Sequence, residues 1–184
     1  KYADIELKKN QIIKVWNNID FDINGLVIGS IPLSYKTSRD ACFWILDKAN
    51  DLNIPIFFDI NWRSVFWPNY LNSNDKPIEG VIDLINNVIS KSQFLKISKE
   101  EAILFFNSFD PEEISQGFNN NPDVVITNGS KDIFWYISNI KGKNKLSFAA
   151  PVADTTGAGD AFLSGMISQI LNNKRNYTYE QVSK

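Results

Sequence analysis

The stretch Asp154-Thr155-Thr156-Gly157-Ala158-Gly159-Asp160-Ala161-Phe162 joins a glycine-rich turn to the start of an apolar helix. Glycines let backbone amides approach an anion closely, and a helix N-terminus adds roughly half a positive charge. Asp160 falls in the first turn of this helix, where a carboxylate can accept a proton from an attacking hydroxyl. The stretch predicts an anion-binding turn with its own base, while ordinary helix capping remains an alternative.

Outward from this stretch, short apolar runs alternate with helix-like segments, an order typical of β-α-β units around a parallel sheet. The apolar runs are continuous, as expected for strands that are covered on both faces. Predicted strands span residues 25–30, 54–59, 93–97 and 123–127. Predicted helices begin at Ser38, Pro77, Asp110 and Ala158. Near Gly142 we expect a turn between two antiparallel strands, 133–137 and 145–149.

Polar residues follow the carboxyl ends of the predicted strands, which form the ligand-binding edge of an open parallel sheet. We therefore expect five segments to converge there: Gly29-Ser30, 59–63, 96–98, 127–129 and 154–156.

Composition restricts the classes of function. The chain has 184 residues, 43% of them hydrophobic, and 19 basic against 21 acidic residues, so neither nucleic acid nor an anionic membrane is an expected partner. With no histidine and one cysteine, Cys42, the usual catalytic triads and zinc sites are excluded. No apolar run is long enough to cross a bilayer, and no signal-peptide pattern opens the chain, so we expect a cytoplasmic protein.

The stretch 154–162, followed by Leu163-Ser164-Gly165-Met166, closely resembles a signature of the PfkB, or ribokinase-like, carbohydrate kinases. The resemblance implies a three-layer α/β/α sandwich with a mostly parallel sheet and an antiparallel edge pair. In the family, the turn that matches Gly157, Ala158 and Gly159 cradles the transferred phosphoryl group. The aspartate that matches Asp160 is the catalytic base.

A second stretch, FDINWRSVFWPN at residues 58–69, is similar to the Asp-Pro-Asn-x-Arg and Leu-Trp-Pro run of fructokinases and 2-keto-3-deoxygluconate kinases. Ile60 replaces the family's proline and Phe66 its leucine. The resemblance implies that Asp59, Asn61 and Arg63 bind the sugar; a turn with an exposed arginine is the alternative. We expect the aromatic residues of this region to be core rather than a stacking platform.

Gly29-Ser30 resembles the fructokinase turn near the sugar, with a simple loop as the alternative. Thr127-Asn128-Gly129 resembles the turn that contacts ATP phosphates in the family, and a tight turn after a strand is the other interpretation. Asp154 and the carbonyl group of Thr156 resemble part of a monovalent-cation site, which would hold K⁺.

Lys96-x-Ser98-x-x-Glu101 resembles the family's Lys-x-Asn/Ser-x-x-Glu segment, which lies near the nucleotide phosphates in the family. The resemblance implies that Lys96 approaches those phosphates and that Lys96 and Ser98 bind the nucleotide. Glu101 would organise Mg²⁺ through water. Ser98 and Glu101 also have the spacing of a capping box, and the two interpretations are compatible.

Together these resemblances imply an ATP- and Mg²⁺-dependent sugar kinase of the fructokinase type, forming fructose 6-phosphate from fructose. The alternatives are a 2-keto-3-deoxygluconate kinase, another PfkB-type kinase, or a non-catalytic sugar-binding or regulatory descendant. A dehydrogenase is excluded because Phe162 occupies the third glycine position of a dinucleotide turn, and no Walker-type Gly-Lys-Ser/Thr run occurs.

The chain begins without methionine, and a predicted helix from Thr178 stops after about one turn, at Lys184. We expect a single kinase core segment over residues 1–184, truncated at both ends, which alone could be inactive. The resemblance implies that an N-terminal sugar-binding lid, through which family members often form homodimers, lies outside the chain.

Overall fold

A computed structural model describes residues 6–72, 74, 76–145 and 157–172. Within these residues the helices are α1 Lys9–Trp16, α2 Lys36–Asp51, α3 Glu79–Ile89, α4 Lys99–Phe106, α5 Pro111–Gln116 and α6 Ala158–Asn172. The strands are β1 Leu26–Gly29, β2 Ile56–Asp59, β3 Phe94–Ser98, β4 Asp123–Thr127, β5 Ile133–Ile137 and β6 Ile140–Asn144. They form one sheet in the order β1-β2-β3-β4-β5-β6.

The chain divides into two compact units, a first unit of residues 1–95 and 118–122 and a second unit of residues 96–117 and 123–184. In the first unit β1 and β2 pair in parallel, with Gly29 opposite Asp59. All four residues of β2 are buried, as its continuous apolar pattern predicts. Phe57 stacks on Phe94 with ring centroids 4.8 Å apart.

Helices α2 and α3 turn apolar stripes inward, because residues three and four apart share a helix face. The buried residues of α2 include Ala41, Cys42, Leu46 and Ala49, and those of α3 are Val81, Ile85, Val88 and Ile89. Burial raises the pKa of the Cys42 thiol to about 12, which keeps it protonated. Cys42 therefore acts as a small apolar core residue.

Two helix starts in the first unit differ from the sequence prediction. Ser38 does not cap α2: the helix begins at Lys36, and the Ser38 hydroxyl instead donates to the carbonyl of Pro32 at 2.6 Å. Helix α3 begins at Glu79 rather than at Pro77, because Pro77 forms a bridge with Leu71. Helix α1 was not predicted from the sequence, and it has no buried residue.

The second unit contains the antiparallel part of the sheet, where β4 pairs with β5 and β5 with β6. An antiparallel pair is present and its first strand, Ile133–Ile137, is as predicted, but the turn is at Ser138-Asn139 and not at Gly142, so the second strand is Ile140–Asn144 rather than 145–149. Residues 146–149 of the predicted strand lie outside the described residues. Both turn residues have positive φ, 51° and 63°, as a two-residue hairpin turn of the favoured twist requires. Gly142 lies inside β6, where a Cβ would be 2.1 Å from the Trp135 ring. The glycine therefore makes room for the indole.

Two helix N-termini in the second unit are capped as predicted. The Ser98 hydroxyl accepts from the Glu101 amide at 3.1 Å, and the Glu101 carboxylate accepts from the Ser98 amide at 2.7 Å. Asp110 accepts from the Glu112 amide at 3.0 Å and also pairs with Lys141 of β6. These contacts fix where α4 and α5 begin.

Left-handed backbone in the described part of the chain is carried mostly by asparagine. Five of the six non-glycine residues with positive φ are asparagine: Asn53, Asn61, Asn107, Asn121 and Asn139. Asparagine tolerates this conformation better than most residues because its short side chain can bond locally. In the same residues, no helix combines the length and apolar character needed to cross a membrane.

Candidate functional site

The predicted sugar-binding residues lie together in the first unit. The β1–β2 register places Gly29 beside Asp59, and the Ser30 amide donates to the Ile60 carbonyl at 3.3 Å. Asn61 follows with a φ of 40°, which turns the chain away from the strand. Parallel pairing therefore brings two segments together that are separated by about thirty residues, as the strand-end argument predicts.

These side chains differ strongly in exposure. Asp59 is 4% exposed, Ser30 is fully buried, and Arg63 is exposed. The Ser30 hydroxyl has no hydrogen-bond partner among the residues that the structure describes. A buried hydroxyl without a partner costs about 1–3 kcal/mol, so this atom is a candidate contact for a ligand or an ordered water. The exposed Arg63 guanidinium likewise has no hydrogen-bond or ion-pair partner within the described ranges.

The aromatic residues beside this group are largely core, as expected. Trp67 is fully buried and stacks on Trp62 with centroids 5.2 Å apart, while Trp62 itself is half-buried. Tyr70 packs edge-on against Trp67, and the Arg39 guanidinium lies 5.8 Å from the Tyr70 ring centroid. Neither Tyr70 nor Arg39 was predicted from the sequence to lie beside these residues; the aromatic run, which continues to Tyr70, was a signal for the tyrosine.

The predicted phosphate-side residues lie in the second unit. Lys96 is only 7% exposed on β3, and Ser98 ends that strand. The Thr127 hydroxyl donates to the Ile97 carbonyl at 3.4 Å, which joins the ends of β3 and β4. Gly129 has a φ of 56°, as the predicted tight turn after β4 requires.

The start of α6 carries the residues of the predicted anion-binding turn that the structure describes. Gly157 has a φ of 77°, and its carbonyl accepts from the Ala161 amide at 2.8 Å, which forms the first helical hydrogen bond. Asp160 lies in the first turn and is exposed, and its carboxylate has no partner among the described residues. A Cβ added to Gly159 would lie 3.2 Å from Lys96 Nζ. The Lys96 ammonium therefore lies beside Gly159, the residue that precedes Asp160 in the first turn of α6.

Of the predicted metal-binding residues, the structure describes Glu101 but not Asp154 or Thr156. One oxygen of the half-buried Glu101 carboxylate is held by the Ser98 amide, which orients the group at the start of α4. A single oriented carboxylate suits Mg²⁺, which usually keeps several waters. No cluster of three acidic, cysteine or histidine ligands occurs in the described ranges. Asp154 and Thr156, the predicted monovalent-cation ligands, lie outside those ranges, as do the residues after Asn172.

Comparison with known families matches residues 26–181 to the pfkB family carbohydrate kinases. The chain belongs to this family. Fructokinase-2 of Zea mays is 27% identical over 145 residues, covering 77% of this chain and 41% of the relative. This chain thus spans less than half the length of that kinase.

Solved structures support the fold. The chain resembles fructokinase from Vibrio cholerae O395 in its fructose-, ADP- and calcium-bound form, with a TM-score of 0.71, 24% identity, and coverage of 90% of this chain and 52% of that one. It also resembles a PfkB protein from Polaromonas sp. JS666, with a TM-score of 0.69, 19% identity, and coverage of 98% and 54%. The expected ribokinase-like α/β fold is therefore confirmed.

Proposed function

We propose that these residues form the phosphoryl-transfer part of an ATP-dependent sugar kinase, with fructose as the acceptor. The observation that carries the proposal is the start of α6. There the exposed carboxylate of Asp160 lies in the first turn of the helix, three residues after Gly157, whose backbone is in the left-handed conformation. The Lys96 ammonium lies beside Gly159. Membership in the pfkB family supports this interpretation.

In the proposed reaction the 6-hydroxyl oxygen of fructose attacks the γ-phosphorus of ATP. The bond from that phosphorus to the β–γ bridging oxygen breaks, and ADP leaves. Asp160 accepts the hydroxyl proton, and the amides of residues 157–159 stabilise charge on the transferred phosphoryl group. Lys96, Ser98, Thr127 and Gly129 contact the nucleotide phosphates.

Mg²⁺, when bound, would neutralise phosphate charge, with Glu101 holding its waters; K⁺ is the proposed cation for Asp154 and Thr156. On the sugar side, Asp59, Asn61, Arg63 and the Gly29-Ser30 turn are proposed to bind hydroxyl groups. The burial of Asp59 supports this assignment, as does the Ser30 hydroxyl, which has no hydrogen-bond partner within the described residues, because both residues lie at the adjoining ends of β1 and β2.

A second candidate is 2-keto-3-deoxygluconate kinase. The exposed Arg63 guanidinium supports it, because a fork of N–H donors suits the carboxylate of an acid sugar. We further propose that the kinase is cytoplasmic and forms a homodimer through a lid region.

The test is an ADP-release assay on the longest natural chain that contains residues 1–184, with ATP, Mg²⁺ and fructose, 2-keto-3-deoxygluconate, ribose or adenosine. We expect the highest kcat/KM with fructose. Preference for 2-keto-3-deoxygluconate would favour the second candidate. Fructose binding without turnover would instead identify a non-catalytic sugar-binding descendant.

A further inference from the structure

Three glycines in or just before α6 differ in what a side chain would meet at their positions. Gly157 has a φ of 77° and open space around it, so its backbone conformation is what excludes other residues. Gly165 lies within α6, where a Cβ would meet nothing within 4 Å. Gly159 does not have a positive φ, yet a Cβ there would lie 3.2 Å from Lys96 Nζ. Its constraint is space, and a lysine occupies that space.

Lys96 cannot easily move out of the way. Its side chain rises from a strand whose first four residues are buried, and only 7% of the residue is exposed. An exposed lysine would swing its terminal atom into solvent at little cost. A confined lysine must instead shift its ammonium within the packed interior, where small displacements are resisted.

We infer that Gly159 is a positioning residue for Lys96: its missing side chain leaves the space in which the ammonium lies against the first turn of α6. The inference rests on the proposed function, because it explains how the lysine and the turn amides would act on one phosphoryl group. It gives Gly159 a task separate from donating its own amide. We therefore expect substitution of Gly159 to weaken ATP binding only in a chain that keeps Lys96.

The size of the effect follows from the geometry. A contact of 3.2 Å displaces the ammonium by a few tenths of an ångström rather than by a full side-chain width. Such a shift should weaken, but not abolish, a charge-assisted hydrogen bond from Lys96 to a phosphate, so we expect Gly159→Ala to weaken ATP binding by about 3- to 30-fold. The helix itself should not suffer, because alanine is a better helix former than glycine.

The experiment is a double-mutant cycle on the longest natural chain that contains these residues. ATP dissociation constants and unfolding midpoints are measured for wild type, Gly159→Ala, Lys96→Met and the double variant, with Gly165→Ala as the matched control. We expect Gly159→Ala to weaken ATP binding without lowering Tm, and to have no further effect beside Lys96→Met. Gly165→Ala should leave ATP binding unchanged. Equal weakening in both Lys96 backgrounds, or none with Lys96 present, overturns the inference.

Failure of the proposed function is distinguishable from failure of the pair. If the wild-type chain binds no ATP and transfers no phosphate, the kinase proposal is wrong. The unfolding midpoints then still test whether a side chain at residue 159 competes with Lys96 for space. The rise in Tm from Gly159→Ala should then be larger in the Lys96→Met background than in the chain that keeps the lysine. The same rise in both backgrounds would show that the two residues do not compete for space.

Discussion

Asp59 in the first unit and Asp160 in the second are both aspartates at the edge of a predicted ligand site, but their surroundings are opposite. Asp59 is 4% exposed and has polar or charged interactions, whereas Asp160 is exposed and has no partner among the described residues. Removing a buried carboxylate leaves its hydrogen-bond partners unsatisfied and so lowers the stability of the fold. An effect of that change on ligand binding is then hard to separate from its effect on folding. An exposed carboxylate can be exchanged with little effect on folding, which isolates its chemical role.

The largest effect is expected at Asp160. Asp160→Asn should lower kcat by about 10² to 10⁴, the usual range for a general base, because the amide cannot accept the proton. Only about 0.3–1 kcal/mol of folding free energy should be lost with the helix-dipole interaction. The measurement pairs an ADP-release assay with urea unfolding. Unchanged turnover would remove Asp160 from the proposed mechanism.

Asp59 should show the reverse balance. Asp59→Ala is expected to lower the free energy of unfolding by about 1–3 kcal/mol, because polar groups are left buried without their partner. Urea denaturation of the 184-residue chain is the measurement, and Asp160→Ala is the matched control at an exposed position. Equal losses for the two variants would abolish the contrast between the two aspartates.

Two glycines of the second unit, Gly157 and Gly165, should respond to alanine in opposite directions. Gly157→Ala should destabilise the chain by about 1–2 kcal/mol, because an alanine is forced into left-handed backbone. Gly165→Ala should stabilise it by about 0.5–1 kcal/mol, since alanine is the better residue inside a helix. Thermal unfolding checks both. Effects of the same sign would mean that Gly157 does not need its positive φ.

A third aspartate, Asp110, provides the smallest expected effect. Partial burial acts to raise its pKa, but the hydrogen bond from Lys141 and those from the Glu112 and Glu113 amides outweigh it, so the pKa lies below its ordinary value. Its side chain is 41% exposed, so solvent screening leaves only a few tenths of a kcal/mol at neutral pH.

A lowered carboxyl pKa contributes stability above the unfolded-state value of 3.8 and loses it as the pH falls through the lower folded-state value. Asp110→Asn keeps the cap but removes the charge. The difference in unfolding free energy between wild type and this variant should therefore shrink as the pH is lowered below about 3.8. Chemical denaturation at about pH 7 and about pH 3 measures it; a difference that grows in acid would reverse the assignment.

The sequence predicted best where backbone chemistry is local. Ser98 with Glu101 and Asp110 with Pro111 define helix starts through contacts within a few residues, and both appear as expected. The strand Asp123–Thr127, whose three central residues are apolar, was also bounded correctly. These features depend on neighbours along the chain, which a sequence displays directly.

Features that depend on distant residues were harder to predict. Gly142 suggested a turn because its packing partner, the Trp135 ring, is not recognisable from sequence. Ser38 was predicted to be a helix cap because serine is a common capping residue. Its hydroxyl instead bonds the Pro32 carbonyl, and the turn that brings this carbonyl close was not predicted from the sequence. Likewise, motif matching named both Lys96 and Gly159, but their proximity arises only when β3 and the start of α6 are folded.

The asparagines in left-handed backbone have a consequence for the denatured ensemble. At Asn53, Asn107 and Asn121 the backbone adopts the left-handed conformation without glycine. A glycine at each position would adopt the native angles readily but would also explore many more conformations when unfolded. By using residues with a Cβ, the chain narrows the set of states from which it must fold. These asparagines therefore contribute to stability partly by lowering the conformational entropy of the unfolded chain.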